Sequence, residues 1–328
     1  MTYSSGGLIQ ATDYNGFVST TASANINAVW NTAYGQTALS TVTSGTSTVT
    51  ATQWASLVNT LTSLGTHTNT TLTSRTAPVT GNTISILANV NTDITSVNTN
   101  QYNAYAVGSQ YTAWTGTNSK TTQTGTSGGA TWTITFTNTV TWTSAAAAQY
   151  FFNAGGLIKI QVAKSSTGLT GDPAWNDLAG TLCGAIYISG LATSHTIAGV
   201  AYTGTTKIGG TGTPTTLSTA TGWDALTTGA AATIVYKQFS ATAPYTGDYI
   251  QHTIAKATSS TQLVITTTWV AVDTNVPPTG GTDPITGGTA ASGATPGTAP
   301  CTIVTYFPPE TTNLTSTWGT PTVVAAVA

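Results

Sequence analysis

Apolar residues recur with a period that changes along the chain, and the change predicts the architecture. In the first hundred residues the period is helical. Over Thr50 to Gly65, Trp54, Leu57, Val58, Leu61 and Leu64 recur about every 3.6 residues, which places them on one helix face. Thr50 or Thr52 is placed to cap this helix and Gly65 to stop it. Leu87, Val90, Ile94 and Val97 step by three, four and three, and predict a second helix from Thr83 to Asn98. Shorter helical signals lie at Thr12 to Val18 and at Ala24 to Asn31, where Ile26, Val29 and Trp30 form the apolar side.

Beyond residue 130 the period becomes two. Trp132, Ile134, Phe136, Val140 and Trp142 alternate with Thr133, Thr135, Thr137, Thr139 and Thr141, the pattern of a half-buried antiparallel strand with a threonine outer face. The segment SAAAAQYFFNAGG predicts a short helix with Ser144 as its cap and Gly155 or Gly156 as its stop. It leads into LIKIQVA, where Ile158, Ile160 and Val162 share a face. Further strands are predicted at Ala185 to Ser189, Thr233 to Phe239, Tyr249 to Lys256 and Gln262 to Val272. The last segment alternates again around Ile303 to Phe307 and ends apolar at Val323, Val324 and Val327. Such an end either completes the chain's own sheet or pairs with a neighbour's edge.

These patterns predict an α+β, mainly β protein. A small helical N-terminal module (1–105) and a linker (106–130) precede an antiparallel β-sandwich domain with one or two short helices (131–273). A Pro/Gly/Thr-rich linker (274–300) and an extended C-terminal β arm (301–328) follow.

Composition narrows the function. Seven basic and nine acidic residues make sixteen charged positions among 328, while 79 are Thr. Soluble domains ordinarily carry about a quarter charged residues, so hydroxyls and amides must keep this surface in water. Natural sheets guard their edges with charges, which this chain lacks, so its edges are expected to be covered by partner chains or closed within an oligomer. A net charge of −2 and scattered basic residues exclude the electrostatic footprint of a nucleic-acid binder. Met1 to Gln10 has neither a basic nor an apolar run, and no stretch approaches a membrane span. The expectation is a product made in the cytoplasm without export and without membrane insertion.

Residues able to carry chemistry are few. His67, His195 and His252 lie far apart, without the spacing of metal ligands, and Cys183 and Cys301 form no CxxC pair. No metal, cofactor or enzymatic activity is expected. The cysteines are expected as two buried thiols, with one disulfide as the alternative. His252 alternates with Ile250 and Ile254, as a structural histidine in a strand would. A glycan-cleaving site needs paired carboxylates. The candidates are Asp172 with Asp177, Asp224, Asp248 and Glu310, although Asp172 before Pro173 and Asp177 beside Trp175 read more simply as turn or cap residues. The sequence contains no phosphate loop or dinucleotide fingerprint. Gly-rich 208–214 reads as a plain loop. Trp54, Trp132 and Trp142 belong to apolar faces, whereas Trp114, Trp223 and Trp318 stand among loop-like residues and are the candidates for exposed contacts such as stacking on a glycan.

Several stretches carry a resemblance. LIQATDYNGF, INAVWNTAYGQ and VTATQWASLVNTL resemble the N-terminal region of structural proteins from tailed bacteriophages, especially those of cyanobacteria and other aquatic bacteria. WTITFTNTVTWTSAAAAQYFFNAGGLIKIQ, PAWNDLAG, GWDALTTG and TQLVITTTWVAVD resemble the β-rich domain of the same proteins. The likeness covers most of residues 8 to 273. Its most specific pieces are Tyr150, Phe151, Phe152, Asn153, Ala154, Gly155 and Gly156, together with Trp175 and Asn176. Physically, Phe151 and Phe152 are expected to plug a core while the glycines turn the chain into a strand.

The resemblance implies a virion structural or tail-fibre-like protein with no catalytic or cofactor residues to carry over. It implies a homo-oligomeric fibre, appendage or capsid decoration, with a trimer as the commonest fibre symmetry. Its partners would be other virion proteins and a host surface glycan. On that reading the helical module attaches to the particle or zips subunits together, and the β domain projects. The alternatives are an exported bacterial adhesin or surface-layer protein, which the missing signal peptide disfavours, and a glycan-cleaving tailspike.

Overall fold

The structure, a computed structural model, describes residues 10–19, 25–43, 45, 48–80, 89–105, 118–119, 132–164, 172–243, 245–272 and 301–327, with the backbone alone at 118, 119, 132, 172 and 301. Most of both predicted linkers, and Trp114 with them, lie outside these residues.

The N-terminal helices are α1 (Ala11–Val18), a π-helical turn (Ala28–Ala33), α2 (Ala51–His67) and α3 (Val90–Thr99). Thr50 begins α2 through a reciprocal cap: its hydroxyl accepts from the Gln53 amide while the Gln53 side chain accepts from the Thr50 amide at 2.8 Å. The predicted stop at Gly65 is wrong, since α2 continues to His67 and ends at Thr68 and Asn69, the latter in the left-handed region at φ 51°. Gly65 is a packing glycine: a Cβ there would lie 2.4 Å from the Leu72 side chain. The helix α3 runs from Val90, with Asn89 as its left-handed lead-in, and the predicted start at Thr83 lies outside the described residues. Leu87 falls outside the described residues.

Two antiparallel sheets form the rest. One has the order β1 (Asn118–Ser119), β12 (Cys301–Phe307), β3 (Leu157–Ala163), β4 (Ala185–Ile188), β7 (Thr205–Ile208). The other has the order β13 (Thr322–Val327), β2 (Trp132–Thr141), β11 (Gln262–Ala271), β10 (Tyr249–Lys256), β9 (Thr233–Phe239), β8 (Thr216–Leu217). A hairpin of β5 (His195–Ile197) and β6 (Val200–Tyr202) stands apart. At their margins β1 lies against β13 and β7 against β8, so the two sheets meet on both sides within one chain.

Alternation settles which faces turn inward. Ile134, Phe136 and Val140 of β2 and Leu263, Ile265 and Trp269 of β11 are buried, with threonines facing out between them. The C-terminal strands dock in their own chain: Val304 pairs with Ile160 between β12 and β3, and Val323 with Val140 between β13 and β2. Between the sheets and the helices sits α4 (Ala145–Asn153), capped by the Ser144 hydroxyl, with Gly155 at φ +93° turning the chain into β3. One continuous core runs from Tyr14, Phe17 and Trp54 of the helical part through Phe151 and Phe152 to Ile250 and Trp269 of the sheets.

Candidate functional site: the polar cluster around Asp224

Most of the few charged groups serve internal structure. Arg75 and Asp93 form a buried ion pair that holds the segment after α2 on α3. His67, fully buried, bonds Glu310 across 2.8 Å and so ties α2 to the C-terminal segment. Glu310 also accepts from the backbone amides of Thr312 and Asn313 at 2.6 and 3.0 Å. Burial alone would raise its pKa; the hydrogen bonds from His67 and Asn313 outweigh that and bring it down to about 2. The Lys207 ammonium donates to the carbonyls of Gly209, Gly210 and Gly212 at 2.9 to 3.0 Å, which folds the glycine loop around it. Lys237 lies over the rings of Tyr249 and Phe239 at 3.7 and 4.6 Å.

Asp224 differs from these groups because it is exposed to solvent and yet gathers polar partners from distant segments. It sits in the short 3-10 turn Trp223–Ala225. That turn is laced to the 189–190 backbone: Trp223 N donates to Ser189 O and Asp224 N to Gly190 O, each at 3.0 Å. Gly222 permits the approach, since a Cβ there would meet Ser189 O at 2.5 Å. The Gln149 side-chain amide, from α4, donates to Asp224 Oδ1 at 2.8 Å and to Asn153 Oδ1 at 2.9 Å. Asn153 in turn donates to the Ala33 carbonyl at 3.0 Å, so a relay of amides links the helical module to the carboxylate. Burial raises the Asp224 pKa, opposed by the Gln149 hydrogen bond and by Lys256 and His195 acting through space.

Around it stand His195, Lys256 and Tyr102. His195 places Nδ1 3.3 Å from the Thr193 carbonyl, which requires that nitrogen to carry the proton and leaves Nε2 as an acceptor. Burial lowers its pKa and keeps the ring neutral near pH 7. The Lys256 ammonium lies 4.2 Å from the Trp223 ring centroid. Tyr102 follows α3 and is half-buried; its neighbour Asn103 accepts from Thr196 N at 3.0 Å, which fixes it beside His195. Burial raises the Tyr102 pKa, with the Asp224 charge adding to the effect.

The residues singled out in the sequence fall as follows. Trp54 is buried against Tyr14 and Phe17 at 5.8 and 6.0 Å. Phe151 and Phe152 meet edge to face at 5.1 Å and plug the core beside Trp142. Gly156 leaves room for the Phe151 ring, which a Cβ would approach to 2.5 Å. Trp175 stacks on Trp269 at 5.7 Å, and Asn176 ends the short helix α5 (Asp172–Asn176). Asp172 and Asp177 stand at the starts of α5 and of the π-helical turn Asp177–Leu182.

Trp223 and Trp318 are not exposed contacts: each is only 2 % accessible. Phe152 stacks on the Trp223 ring at 5.3 Å and 18°, and Lys256 lies against it as well, so its indole anchors the turn to the core. A lone tryptophan among small polar residues has more apolar surface to bury than anything beside it, which draws the ring inward. Cys183 is a buried free thiol, its pKa pushed up to about 12 by burial, with the Tyr236 hydrogen bond and Lys207 pulling the other way. The Cys301 side chain lies outside the description. His252 is buried, stacked on Tyr236 and bonded to the Thr267 hydroxyl at 2.9 Å.

The sequence marks Asp224 as one candidate for a glycan-cleaving carboxylate pair but does not show Tyr102, Gln149, His195 and Lys256 as its surroundings, because no spacing along the chain joins them. Among the described residues no group of three or more His, Cys, Asp or Glu could hold a metal ion, and no helix is long and apolar enough to cross a membrane. Compared with protein-family models, curated proteins and solved structures, the chain matches none.

Proposed function

We propose that the protein is a structural component of a tailed-phage particle, an oligomeric fibre, appendage or surface decoration that acts by assembly and adhesion. The observation that supports this reading most is the neutral outer face of the sheet around β2. Registered rows run across it, Thr137 with Thr266 and Thr253, then Thr135 with Thr268 and Gln251. Over β2, β11 and β10 these rows carry no charge, Lys237 of β9, in register with Gln251, standing at their margin, while hydroxyls and methyls repeat at the spacing of the strands, roughly 4.8 Å. Such a face suits broad contact with another protein. Interfaces of this kind are little affected by salt, because screening acts on charges.

Mass spectrometry and quantitative gels of purified phage particles test the reading. The chain is expected in the particle at fixed copy number, retained through washing at about 1 M NaCl, where screening is nearly complete. Release by that wash, or recovery of the protein from the surface of uninfected cells, would overturn it. The second of these results would instead favour the exported adhesin.

A further inference from the structure

We infer that Tyr102, Gln149, His195, Asp224 and Lys256 form a binding site for a saccharide, engaged through neighbouring hydroxyl groups. The inference rests on the adhesive half of the function proposed above and gives it a location and a ligand class. In a chain with only sixteen charged residues and three histidines, an exposed acid with a buried imidazole and a half-buried ammonium beside it calls for a reason. Folding does not supply one as it does elsewhere. Glu310 and Asp93 are sealed and multiply bonded, whereas Asp224 is exposed and its Oδ2 has no hydrogen bond among the described residues.

The cluster is also held in place before any ligand arrives. The relay from Ala33 O through Asn153 and Gln149 fixes Asp224 Oδ1, while Oδ2 has no hydrogen bond among the described residues. The Thr193 carbonyl fixes the His195 tautomer, so Nε2 offers a lone pair. The 189–190 backbone binds the Asp224 turn, and Asn103 binds the strand that carries His195. Lys256 rests its ammonium on the Trp223 ring and keeps donors for a further partner. Positions defined in advance by neighbouring hydrogen bonds are what a recognition site requires, since little ordering remains to oppose binding.

The arrangement selects the ligand. Asp224 Oδ2 and His195 Nε2 accept, Lys256 donates, and the Tyr102 hydroxyl does either. A sugar hydroxyl both donates and accepts, so neighbouring hydroxyls match this mixture of donors and acceptors. The carboxylate and the ammonium balance, so the site attracts neither anions nor cations strongly. A phosphate would face Asp224, a basic peptide would face Lys256, and a metal ion would find a carboxylate and an imidazole but no third ligand of the kind such ions need. The earlier expectation of sugar stacking on Trp223 is thereby replaced: the ring is buried, and the polar residue next to it faces the solvent.

The test is binding of the full chain to an array of bacterial surface polysaccharide fragments and simple saccharides, followed by calorimetry with the free form of any saccharide retained. The wild type is expected to hold at least one class. Asp224→Asn and Lys256→Met are each expected to weaken it by about tenfold or more, the effect of losing a hydrogen bond to a charged group. Asp177→Asn, outside the cluster, is expected to leave binding unchanged. Melting temperatures show whether each variant is folded, and should Asp224→Asn melt early, Lys256→Met and Tyr102→Phe decide. A wild type that holds no saccharide, or folded variants of the cluster that bind as well as the wild type, would overturn the inference. Presence in the particle is measured separately. A particle protein that binds no sugar sinks this inference alone, and a sugar-binding protein absent from particles sinks the virion assignment alone.

Discussion

Side-chain amides in this protein do the work that ion pairs do in others. Asn15 grips the Val42 backbone by both its amide and its carbonyl, at 2.8 and 2.7 Å, and Asn27 grips Leu39 in the same way at 2.9 Å. Gln36 repeats the clasp over the longest range, accepting from Thr315 N at 3.0 Å and donating to Thr315 O at 2.8 Å. Each carboxamide imitates one residue of a β-ladder. Gln36 is 3 % accessible, so Gln36→Leu strands two backbone groups and should cost roughly 2 kcal/mol in urea unfolding. Titration belongs to this scale too. Glu310, at about 2 in the fold against an ordinary 4.5, provides stability that is present above pH 4.5 and lost as pH falls toward 2, because the unfolded chain takes the proton first. Glu310→Gln should therefore remove that acid limb and, with solvent screening discounted, lower stability at pH 7 by roughly 1 to 2 kcal/mol. His252 adds a separate window. Burial lowers it from 6.5 to about 3, so protonation of the unfolded chain erodes stability as pH drops through that range. His252→Gln should flatten the slope between pH 6.5 and 4.5, where Glu310 contributes little, as thermal melts across pH will show.

At the scale of elements, strong periodicity and correct assignment went together. β9 and β10 begin and end where alternation predicted, and the helix after Ser144 has its cap and its glycine turn. What pattern did not reveal was decided by contacts from elsewhere. Gly65 reads locally as a helix stop, but Leu72 fills the space beside it and the helix runs on. The short strands β5 to β8 carry two to four residues each, too few for a period to register. Trp223 looked like an exposed ring because its neighbours in sequence are polar; its neighbours in space are Phe152 and Trp142. That aromatic cluster should dominate the stability of the junction, and Phe152→Ala is expected to cost about 3 to 5 kcal/mol. Gly155 is as demanding for a different reason. Besides φ +93°, an added Cβ would lie 2.5 Å from the Ala104 side chain, so Gly155→Ala should destabilise by more than about 1 kcal/mol. Denaturant midpoints measured on the two variants check both values.

Across the whole molecule, the last described segment holds together parts that the sequence presents as separate. β12 lies between β1 and β3, and β13 closes the other sheet beside β2. Between them Glu310 receives His67, Thr315 receives Gln36, and the Thr317 hydroxyl bonds the Tyr34 carbonyl at 2.6 Å. The C-terminal residues are thus bonded to both sheets and to the helical module, which is why a reading by segments could find the elements but not the cluster at Asp224. That cluster draws on the end of α3, on α4, on β5, on the 3-10 turn and on β10, and only the assembled chain brings these together. Cooperativity should follow the same connectivity. Removing residues 301–328 leaves the long edge of β3 bare, the His67 imidazole buried without its carboxylate, and Gln36 without its clasp. Buried groups left unpaired and an uncovered strand edge each oppose folding, and together they exceed the few kcal/mol by which domains of this kind are stable. The truncated chain is therefore expected to lose its cooperative melt and the near-ultraviolet signal of Trp54, far from the deletion, along with that of Trp269. Retention of a native Trp54 environment beside disordered sheets would show instead that the helical module folds by itself.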